Sequence, residues 1–297
     1  MMSIPIEMIT DETELARAGF HWREREGVCS LVCTPLEQEG FTNAFSTRAG
    51  GVSPMPEDSL NLAGFNDDSA ENIYENRRRF LKLFHGCWTL AACWQVHGAD
   101  VRVVRSAEDA APTPGTLGET VHCDALTTDA PQVLLAVKTA DCVPVILADT
   151  RTGATAAVHA GWRGTLQTIV RVTLERMREE YGTLAPDVLG AIGPAANACC
   201  YEVGPDVIEA FGQKLPDAHS LFTPTREGHA LVDLQRANRD QLIAAGVEAS
   251  NIHVAPLCTM CRNDIFFSYR KEKRLRGRVG RLMAVVGKQK TGQGVKG

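Results

Sequence analysis

The stretch QVLLAVKTADCVPVILADTRTGATAAVHAGWR, residues 132–163, indicates the fold class of this protein. It contains three short apolar runs, VLLAV, VPVILAD and ATAAV, which are separated by turn residues. Short continuous apolar runs bounded by turn residues are typical of strands that are buried on both faces. We therefore predict three buried strands in this part of the chain.

Helices are predicted on either side of these strands. Apolar residues recur at helical spacing from Ser69 to Gly86, from Leu166 to Tyr181 and over 233–245, with capping residues at the ends. VLGAIG at 188–193 predicts a further buried strand. Because helices and strands mix along the chain and no linker divides it, we expect one α/β domain over 1–297, with frayed N- and C-terminal ends.

The composition excludes several classes of protein. The net charge of −5 gives no electrostatic reason to bind nucleic acid. No apolar run reaches the ~18 residues that span a bilayer, so we expect no membrane association. The first ten residues do not have the pattern of a signal peptide. Ten cysteines without a secretion signal favour reduced thiols, so we expect a cytoplasmic protein.

Three residues are candidate metal ligands. His97 lies in WQVHGADV, Cys142 precedes an apolar run in TADCVPVILAD, and His159 follows ATAAV and begins the turn HAGWRG. Zinc prefers thiolate and imidazole ligands, and a catalytic zinc keeps one coordination position open. Spacing alone leaves other interpretations open, since a histidine beside a glycine is often a hydrogen-bonded turn residue and a lone cysteine is often packing.

Several motifs together resemble a known family. FSTRAGGVS at 45–53, QVHGADV, TADCVPVILAD, VHAGWRGT and CTMCRNDIFFSYR occur in this order. They resemble the YfiH-type family, often labelled polyphenol oxidase or laccase-domain proteins, over about residues 41–288. The resemblance implies a layered mixed-sheet α/β sandwich related to the catalytic part of cytotoxic necrotizing factors. It also implies that the family's zinc ligands fall on His97, Cys142 and His159.

The activity is an expectation from the same resemblance. It implies phosphorolysis of adenosine, inosine, guanosine and methylthioadenosine, together with deamination of adenosine, so the partners are purine nucleosides and phosphate. We expect Cys142 and His159 to be catalytic, and the adjacent Asp141 to manage protons. The oligomeric state is left open between monomer and homodimer.

Phosphorolysis also requires an anion site. Arginine binds phosphate in bidentate geometry, and two glycine-flanked turns contain one, STRAGG with Arg48 and HAGWRG with Arg163. The alternative for each is an arginine that braces its own turn. We predict that Ser46 and Arg48 face the zinc pocket and contact phosphate or ribose, and that Arg163 mainly braces its turn.

Two other functions remain open. Copper-dependent oxidation of phenols is the first, because imidazole and thiolate also suit copper. Multicopper oxidases bind their trinuclear cluster through paired His-x-His motifs, however, and the eight histidines of this chain contain none. The second is a Cys142–His159 hydrolase or amidase that needs no metal and edits wrong cell-wall precursors.

Features near the C-terminus are interpreted as structural. Cys258-x-x-Cys261 has the spacing of half a structural zinc site, which Cys199 and Cys200 could complete only if the fold brings them near. We predict reduced packing residues at 258 and 261. The basic stretch from Arg270 to Arg281 is interpreted as a solvated turn and tail.

Overall fold

The computed structural model describes residues 12–55, 58–63, 68–110, 121–215 and 217–289. The strands in these ranges are β1 (Phe20–Arg25), β2 (Val28–Cys33), β3 (Phe41–Ser46), β4 (Ala49–Ser53), β5 (Thr89–Ala91), β6 (Val101–Val103), β7 (Ala125–Thr128), β8 (Val133–Thr139), β9 (Val143–Asp149), β10 (Thr155–Ala160), β11 (Val188–Ile192), β12 (Glu202–Val203), β13 (Phe222–Pro224), β14 (Ala230–Val232), β15 (Ile252–Val254) and β16 (Leu282–Lys288).

The α-helices in the same ranges are α1 (Glu12–Arg17), α2 (Thr34–Gln38), α3 (Ala70–Leu81), α4 (Ala107–Ala110), α5 (Trp162–Leu166), α6 (Ile169–Tyr181), α7 (Pro205–Lys214), α8 (Leu234–Ala244) and α9 (Tyr269–Arg276). In the described part of the chain, every helix is too short or too polar to cross a bilayer.

Two six-stranded mixed sheets form the centre of the molecule. The first has the order β1-β2-β3-β16-β8-β5 and the second has the order β15-β11-β9-β10-β7-β6, while β12, β14 and β13 form a small third sheet. Neighbours in the two large sheets are antiparallel, apart from the parallel pairs β5 with β8, β6 with β7 and β11 with β15.

The two large sheets pack face to face, and helices cover their outer faces. Alternate residues of β8 show this arrangement, because Leu135 and Val137 belong to the core between the sheets, whereas Leu134 and Ala136 contact the layer that contains Phe80 of α3. A third core lies between the second sheet and helices α6, α7 and α8. Burial on both faces explains the continuous apolar runs. The predicted layered α/β sandwich is confirmed.

Most of the predicted elements are present, with different ends. The three apolar runs form β8, β9 and β10, and Ser69 caps α3 by accepting a hydrogen bond from the amide of Asn72 at 3.2 Å. The predicted helix from Leu166 to Tyr181 is instead two helices, because Thr168 takes a left-handed conformation with φ of 56° and separates α5 from α6. The Ala-, Pro-, Gly- and Thr-rich composition of residues 106–120 predicts a surface loop, but residues 107–110 form α4. Residues 111–120 and most of the predicted frayed ends lie outside the described residues.

The interpretation of the basic C-terminal stretch was wrong. Residues 269–276 form α9, which begins where the Ser268 hydroxyl accepts a hydrogen bond from the amide of Lys271 and ends at Gly277, with φ of 69°. An N-cap serine and a C-terminal glycine are signals of a helix. Both signals are present in the sequence, but the high density of charge between them led to the interpretation as a solvated turn.

Arg48 is buried inside the fold. Its guanidinium donates to the carbonyl oxygens of Asn263 at 2.8 Å and Met55 at 2.6 Å, and to the carboxylate of Glu272 at 3.0 Å. It also stacks on the ring of Phe267. Arg48 therefore joins the segment after β3 to α9, and it braces the fold.

This buried ion pair gives a prediction about stability. Removing one partner of a buried pair leaves an uncompensated charge, which costs about 3–5 kcal/mol. We expect Glu272→Ala to lower the free energy of unfolding in urea by about that amount. The matched control is Glu175→Ala on α6, whose ion pair with Arg171 is about half exposed and should contribute less than about 1 kcal/mol. Equal losses in the two variants would contradict the structural role of the Arg48 pair.

Candidate metal centre

Strand register brings Cys142 and His159 together. β9 and β10 are antiparallel neighbours, with Val143 opposite Ala160 and Pro144 opposite His159. Cys142 immediately precedes β9, and it therefore lies beside the end of β10. The amide of His159 donates to the carbonyl oxygen of Asp124 at 2.7 Å, which anchors the end of β10 to the residue before β7.

The carboxylate of Asp124 positions His97. It accepts hydrogen bonds from the amides of His97 at 2.9 Å, Gly98 at 2.7 Å and Val96 at 3.2 Å. These contacts hold His97 in a left-handed conformation with φ of 62°, which a residue with a side chain seldom adopts. The third ligand candidate therefore depends on a carboxylate from a different segment of the chain.

The same carboxylate orients the ring of His159. Nδ1 of His159 lies 2.8 Å from Oδ1 of Asp124. Because a carboxylate only accepts, Nδ1 carries the proton, and Nε2 is left as the nitrogen that can bind a metal. Burial by itself would raise the pKa of Asp124, but the hydrogen bonds from His159, Gly98 and His97 hold this pKa below its usual value.

Asp124 was missing from the sequence-based candidates. A metal-binding histidine almost always donates its other nitrogen to a carboxylate or carbonyl, so the ligand motif predicts such a partner without identifying it. Nothing in the local pattern HCDALTTD distinguishes Asp124 from the other aspartates of the chain. Its role depends on the pairing of β7 with both β6 and β10.

The three candidate ligands meet around Gly161. One ligand atom from each of His97, Cys142 and His159 lies within 4.8 Å of the others, and these residues form a group that could hold a metal ion. The two imidazole rings are 4.9 Å apart and nearly perpendicular, at 80°. A methyl group at Gly161 would lie 3.1 Å from Cδ2 of His97 and 3.2 Å from Sγ of Cys142. Glycine therefore leaves the space in which the ligands converge.

The charge of Cys142 favours its role as a ligand. Burial alone would raise the pKa of this thiol, but the neighbouring His159 and His97 outweigh burial and lower the pKa to about 6. Burial would also lower the pKa of His159, and the Cys142 thiolate and Asp124 instead raise it to about 9. These shifts favour a thiolate–imidazolium pair between the two side chains when no metal is bound.

Asp141 holds the turn that carries Cys142. One carboxylate oxygen accepts from the hydroxyl of Thr259 at 2.7 Å, and the other accepts from the Ser268 hydroxyl at 3.0 Å and the Arg270 amide at 2.7 Å. Its backbone has φ of 88°. Burial raises the pKa of Asp141 despite these hydrogen bonds. With both oxygens engaged, the predicted proton-managing role has no free oxygen to perform it.

A cleft of about 570 Å³ opens above the three ligands. Its wall combines flat apolar surfaces with positive charge, which suits a ligand that has both an aromatic and an anionic part. Its aromatic side chains are Trp94, Trp162, Tyr201 and Tyr269, and its guanidinium groups are Arg163, Arg270 and Arg281.

Two predicted substrate residues lie elsewhere. Ser46 is buried, and its hydroxyl accepts from the amide of Met283 at 2.9 Å, while Arg48 is fully engaged inside the fold. The prediction that both face the pocket was wrong, because a polar residue in a glycine-flanked turn can equally serve distant backbone groups. Arg163, predicted mainly to brace its turn, is exposed in the cleft and stacks on Trp162 at 4.2 Å.

Comparison with known proteins identifies the family. The model of the family described as multi-copper polyphenol oxidoreductase laccase matches residues 42–289. The chain belongs to this family. The resemblance of the motifs to laccase-domain proteins is thereby confirmed.

Individual relatives in the laccase-domain family agree with this assignment. Purine nucleoside phosphorylase YlmD of Geobacillus stearothermophilus is 37% identical over 264 residues, 87% of this chain and 94% of that protein. Adenosine deaminase RL5, from an unknown prokaryotic organism, is 33% identical over 231 residues, 77% of this chain and 88% of that protein.

Solved structures share the fold. The crystal structure of YlmD superposes with a TM-score of 0.83 at 34% identity, covering 92% of this chain and 99% of that one. The crystal structure of the hypothetical protein YfiH of Bacillus licheniformis superposes with a TM-score of 0.82 at 29% identity, covering 90% and 99%.

The role of the space beside Gly161 in metal binding can be tested by substitution. Its φ of −67° is compatible with alanine, so Gly161→Ala acts through the added methyl group rather than through backbone strain. We expect this variant to lower the affinity for zinc about 10–100-fold, the loss typical of disturbed outer contacts of a metal site. The matched control is Gly212→Ala in α7, where a methyl group meets no atom within 4 Å. Equal zinc affinities in a chelator competition would contradict the role of Gly161.

The ionisation of Cys142 predicts that the rate of its alkylation depends on pH in the metal-free protein. A thiol with a pKa of about 6 is thiolate above that pH and loses its charge as the pH falls through it. We expect alkylation of Cys142, followed by peptide mass spectrometry, to reach half its maximal rate near pH 6. An ordinary thiol reaches this point at about pH 8.5. A Cys142 profile like that of a small reference thiol would contradict the ion pair with His159.

Proposed function

We propose that this protein is a zinc-dependent purine nucleoside enzyme. Its reactions are the phosphorolysis of adenosine, inosine, guanosine and methylthioadenosine, and the deamination of adenosine. The observation that carries the proposal is that the His97–Cys142–His159 group lies at the base of a cleft lined by both aromatic rings and guanidinium groups. The names of the relatives YlmD and RL5 support the same substrate class.

The residues present fit a zinc ion. Thiolate and imidazole are the ligands that zinc prefers, and three protein ligands are the number found in catalytic sites. Asp124 orients one imidazole through Nδ1, as carboxylates do for many zinc-binding histidines. When bound, zinc would supply Lewis-acid chemistry, including the activation of water that a deamination needs.

The cleft walls supply binding and orientation. Trp94 and Tyr269 are about half exposed in the cleft and offer aromatic surface for a purine base, with the guanidinium of Arg281 over the ring of Tyr269. The guanidinium of Arg163 has no hydrogen-bond acceptor among the described residues, so it is available for an anion. Arg270 donates to the carbonyl oxygen of Glu202 at 3.2 Å, and this contact fixes its position at the rim.

Phosphorolysis at this site requires phosphate and nucleoside to be held in the right positions for attack on the ribose. A phosphate oxygen forms a bond to C1′ of the ribose while the bond from C1′ to the purine nitrogen breaks, and the base leaves with the proton that the phosphate gives up. Arg163 holds the phosphate and the aromatic wall holds the base, which places the two reacting groups together. In deamination, water replaces phosphate as the nucleophile, attacks C6 of the purine, and ammonia leaves.

A nucleoside panel tests the proposal. The full chain is loaded with zinc and incubated with each purine nucleoside, with and without phosphate, and the products are identified by mass spectrometry. Free base and ribose 1-phosphate, or methylthioribose 1-phosphate from methylthioadenosine, should form only with phosphate, and inosine should form from adenosine without it. Cys142→Ala should lose both activities while keeping its fold. Absence of any nucleoside turnover by the zinc-loaded wild-type protein would refute the function.

Copper-dependent oxidation of phenols is a second candidate. The family description and the His–Cys–His donor set favour it. The three-residue group contains two imidazoles, fewer than a trinuclear copper cluster requires. Phenol oxidation by copper-loaded protein, without nucleoside turnover by zinc-loaded protein, would favour this candidate.

A metal-free hydrolase is the third candidate, and the contact series Cys142–His159–Asp124 favours it. A nucleophile, a base and an orienting carboxylate occur in this order in cysteine hydrolases. A hydrolase of this type keeps its activity after metal is removed and loses it on alkylation of Cys142. Activity of chelator-treated protein towards cell-wall peptide amides would favour this candidate.

Arg163 gives a specific prediction for phosphorolysis. Losing a charged hydrogen bond to phosphate should lower kcat/KM for phosphorolysis about ten- to a hundredfold in Arg163→Ala, mainly through the KM for phosphate. Adenosine deamination, which uses no phosphate, should change much less. The matched control is Arg274→Ala on α9, an exposed arginine outside the cleft. Equal losses in both reactions, or none in either, would remove the phosphate role of Arg163.

A further inference from the structure

Four cysteines from two separate segments converge away from the cleft ligands. They are Cys199, Cys200, Cys258 and Cys261, and each has its sulfur within 4.8 Å of the other three. Sγ of Cys261 lies 3.6 Å from that of Cys199 and 3.2 Å from that of Cys200. The prediction of packing residues was wrong for Cys261, whose side chain is exposed, and fits only Cys258, which is buried.

The sulfur separations fit one tetrahedral ion. Four sulfurs at ~2.3 Å from a zinc ion lie about 3.8 Å from one another, close to the separations in this cluster. A disulfide would need two sulfurs at about 2.05 Å, and the pairs described above are well beyond that. A four-iron cluster places its cysteine sulfurs farther apart, because each binds a different iron.

The turn at Cys258 has the form of a metal-binding turn. The amide of Arg262 donates to the carbonyl oxygen of Cys258 at 2.9 Å, which closes the turn around the C-x-x-C spacing. On the other segment, the amides of Cys200 and Tyr201 donate to the carbonyl oxygen of Asn197 at 2.9 and 2.8 Å, which closes a second turn beside Cys199. Both pairs of cysteines therefore lie in hydrogen-bonded turns, which fix the positions of their sulfurs.

We propose that the four-cysteine cluster binds one structural zinc ion. All four ligands are thiolates, so the site is closed, as structural zinc sites are, and leaves no position for substrate. This ion is separate from the proposed catalytic one, and the proposal does not depend on the nucleoside activity.

The cluster joins two segments that support the Cys142 turn. Thr259, inside the C-x-x-C turn, donates to the carboxylate of Asp141 at 2.7 Å. On the other segment, the amide of Ala196 donates to the carbonyl oxygen of Asp141 at 2.9 Å, and Tyr201 lines the cleft. An ion at the cluster would therefore fix the back wall of the candidate active site.

Metal counting tests the proposal. The full chain is purified under reducing conditions, incubated with excess zinc, passed through gel filtration, and analysed for zinc per chain by mass spectrometry. We expect Cys199→Ser/Cys261→Ser to contain about one zinc fewer than the wild type. We expect Cys142→Ala to retain the cluster ion. The matched control is Cys87→Ser, an exposed cysteine outside both groups, which should keep the wild-type content.

A second measurement tests the proposal even if the Cys199→Ser/Cys261→Ser variant does not fold. Cys142→Ala is loaded with cobalt in place of zinc, and its absorption spectrum should show the intense sulfur-to-metal charge transfer and visible bands of a tetrahedral thiolate site. Zinc should also protect the four cysteines of this variant from alkylation. Equal zinc in the double variant and the wild type, a cobalt spectrum without these bands, or a disulfide within the cluster would overturn the proposal.

Discussion

The buried carboxylate of Asp124 is the constraint on which the candidate active site depends. It is fully inaccessible to solvent, yet it accepts from three consecutive backbone amides around His97 and from Nδ1 of His159. Burying an unpaired charge costs several kcal/mol, and these hydrogen bonds offset that cost. One side chain therefore sets both the backbone of one ligand and the ring orientation of another, so the geometry of the centre is fixed before any ligand binds.

Backbone strain beside the ligands is held by the same kind of contact. His97 and Asp141 both have positive φ, at 62° and 88°, and Asp141 directly precedes Cys142. Such conformations cost about 1–3 kcal/mol each and persist only where the surroundings determine them. Asp124 fixes the first, and the hydrogen bonds of the Asp141 carboxylate fix the second. Each ligand-bearing turn is thus stabilised by a buried aspartate, one from a distant segment and one from the turn itself.

The sequence predicts the sheets better than it predicts the site. The apolar runs identified β8, β9 and β10 because burial on both faces leaves a local signal. His97, Cys142 and His159 were selected by family resemblance, since their approach depends on strand register. Arg48 was misassigned because its buried partner, Glu272, is far away along the chain. Asp124 and the four-cysteine cluster were not assigned for the same reason: their partners are near only after folding.

His97 is the residue that separates the candidate chemistries. A cysteine hydrolase needs a nucleophile, a base and an orienting carboxylate, and Cys142, His159 and Asp124 already provide them. A third donor within 4.8 Å of both Cys142 and His159 adds nothing to such a chain, yet it completes a three-ligand metal site. A metal-free enzyme would gain nothing from the strained backbone of His97. It would also gain nothing from the space that Gly161 leaves beside this ring. The arrangement of the second imidazole therefore favours metal chemistry over a thiol nucleophile.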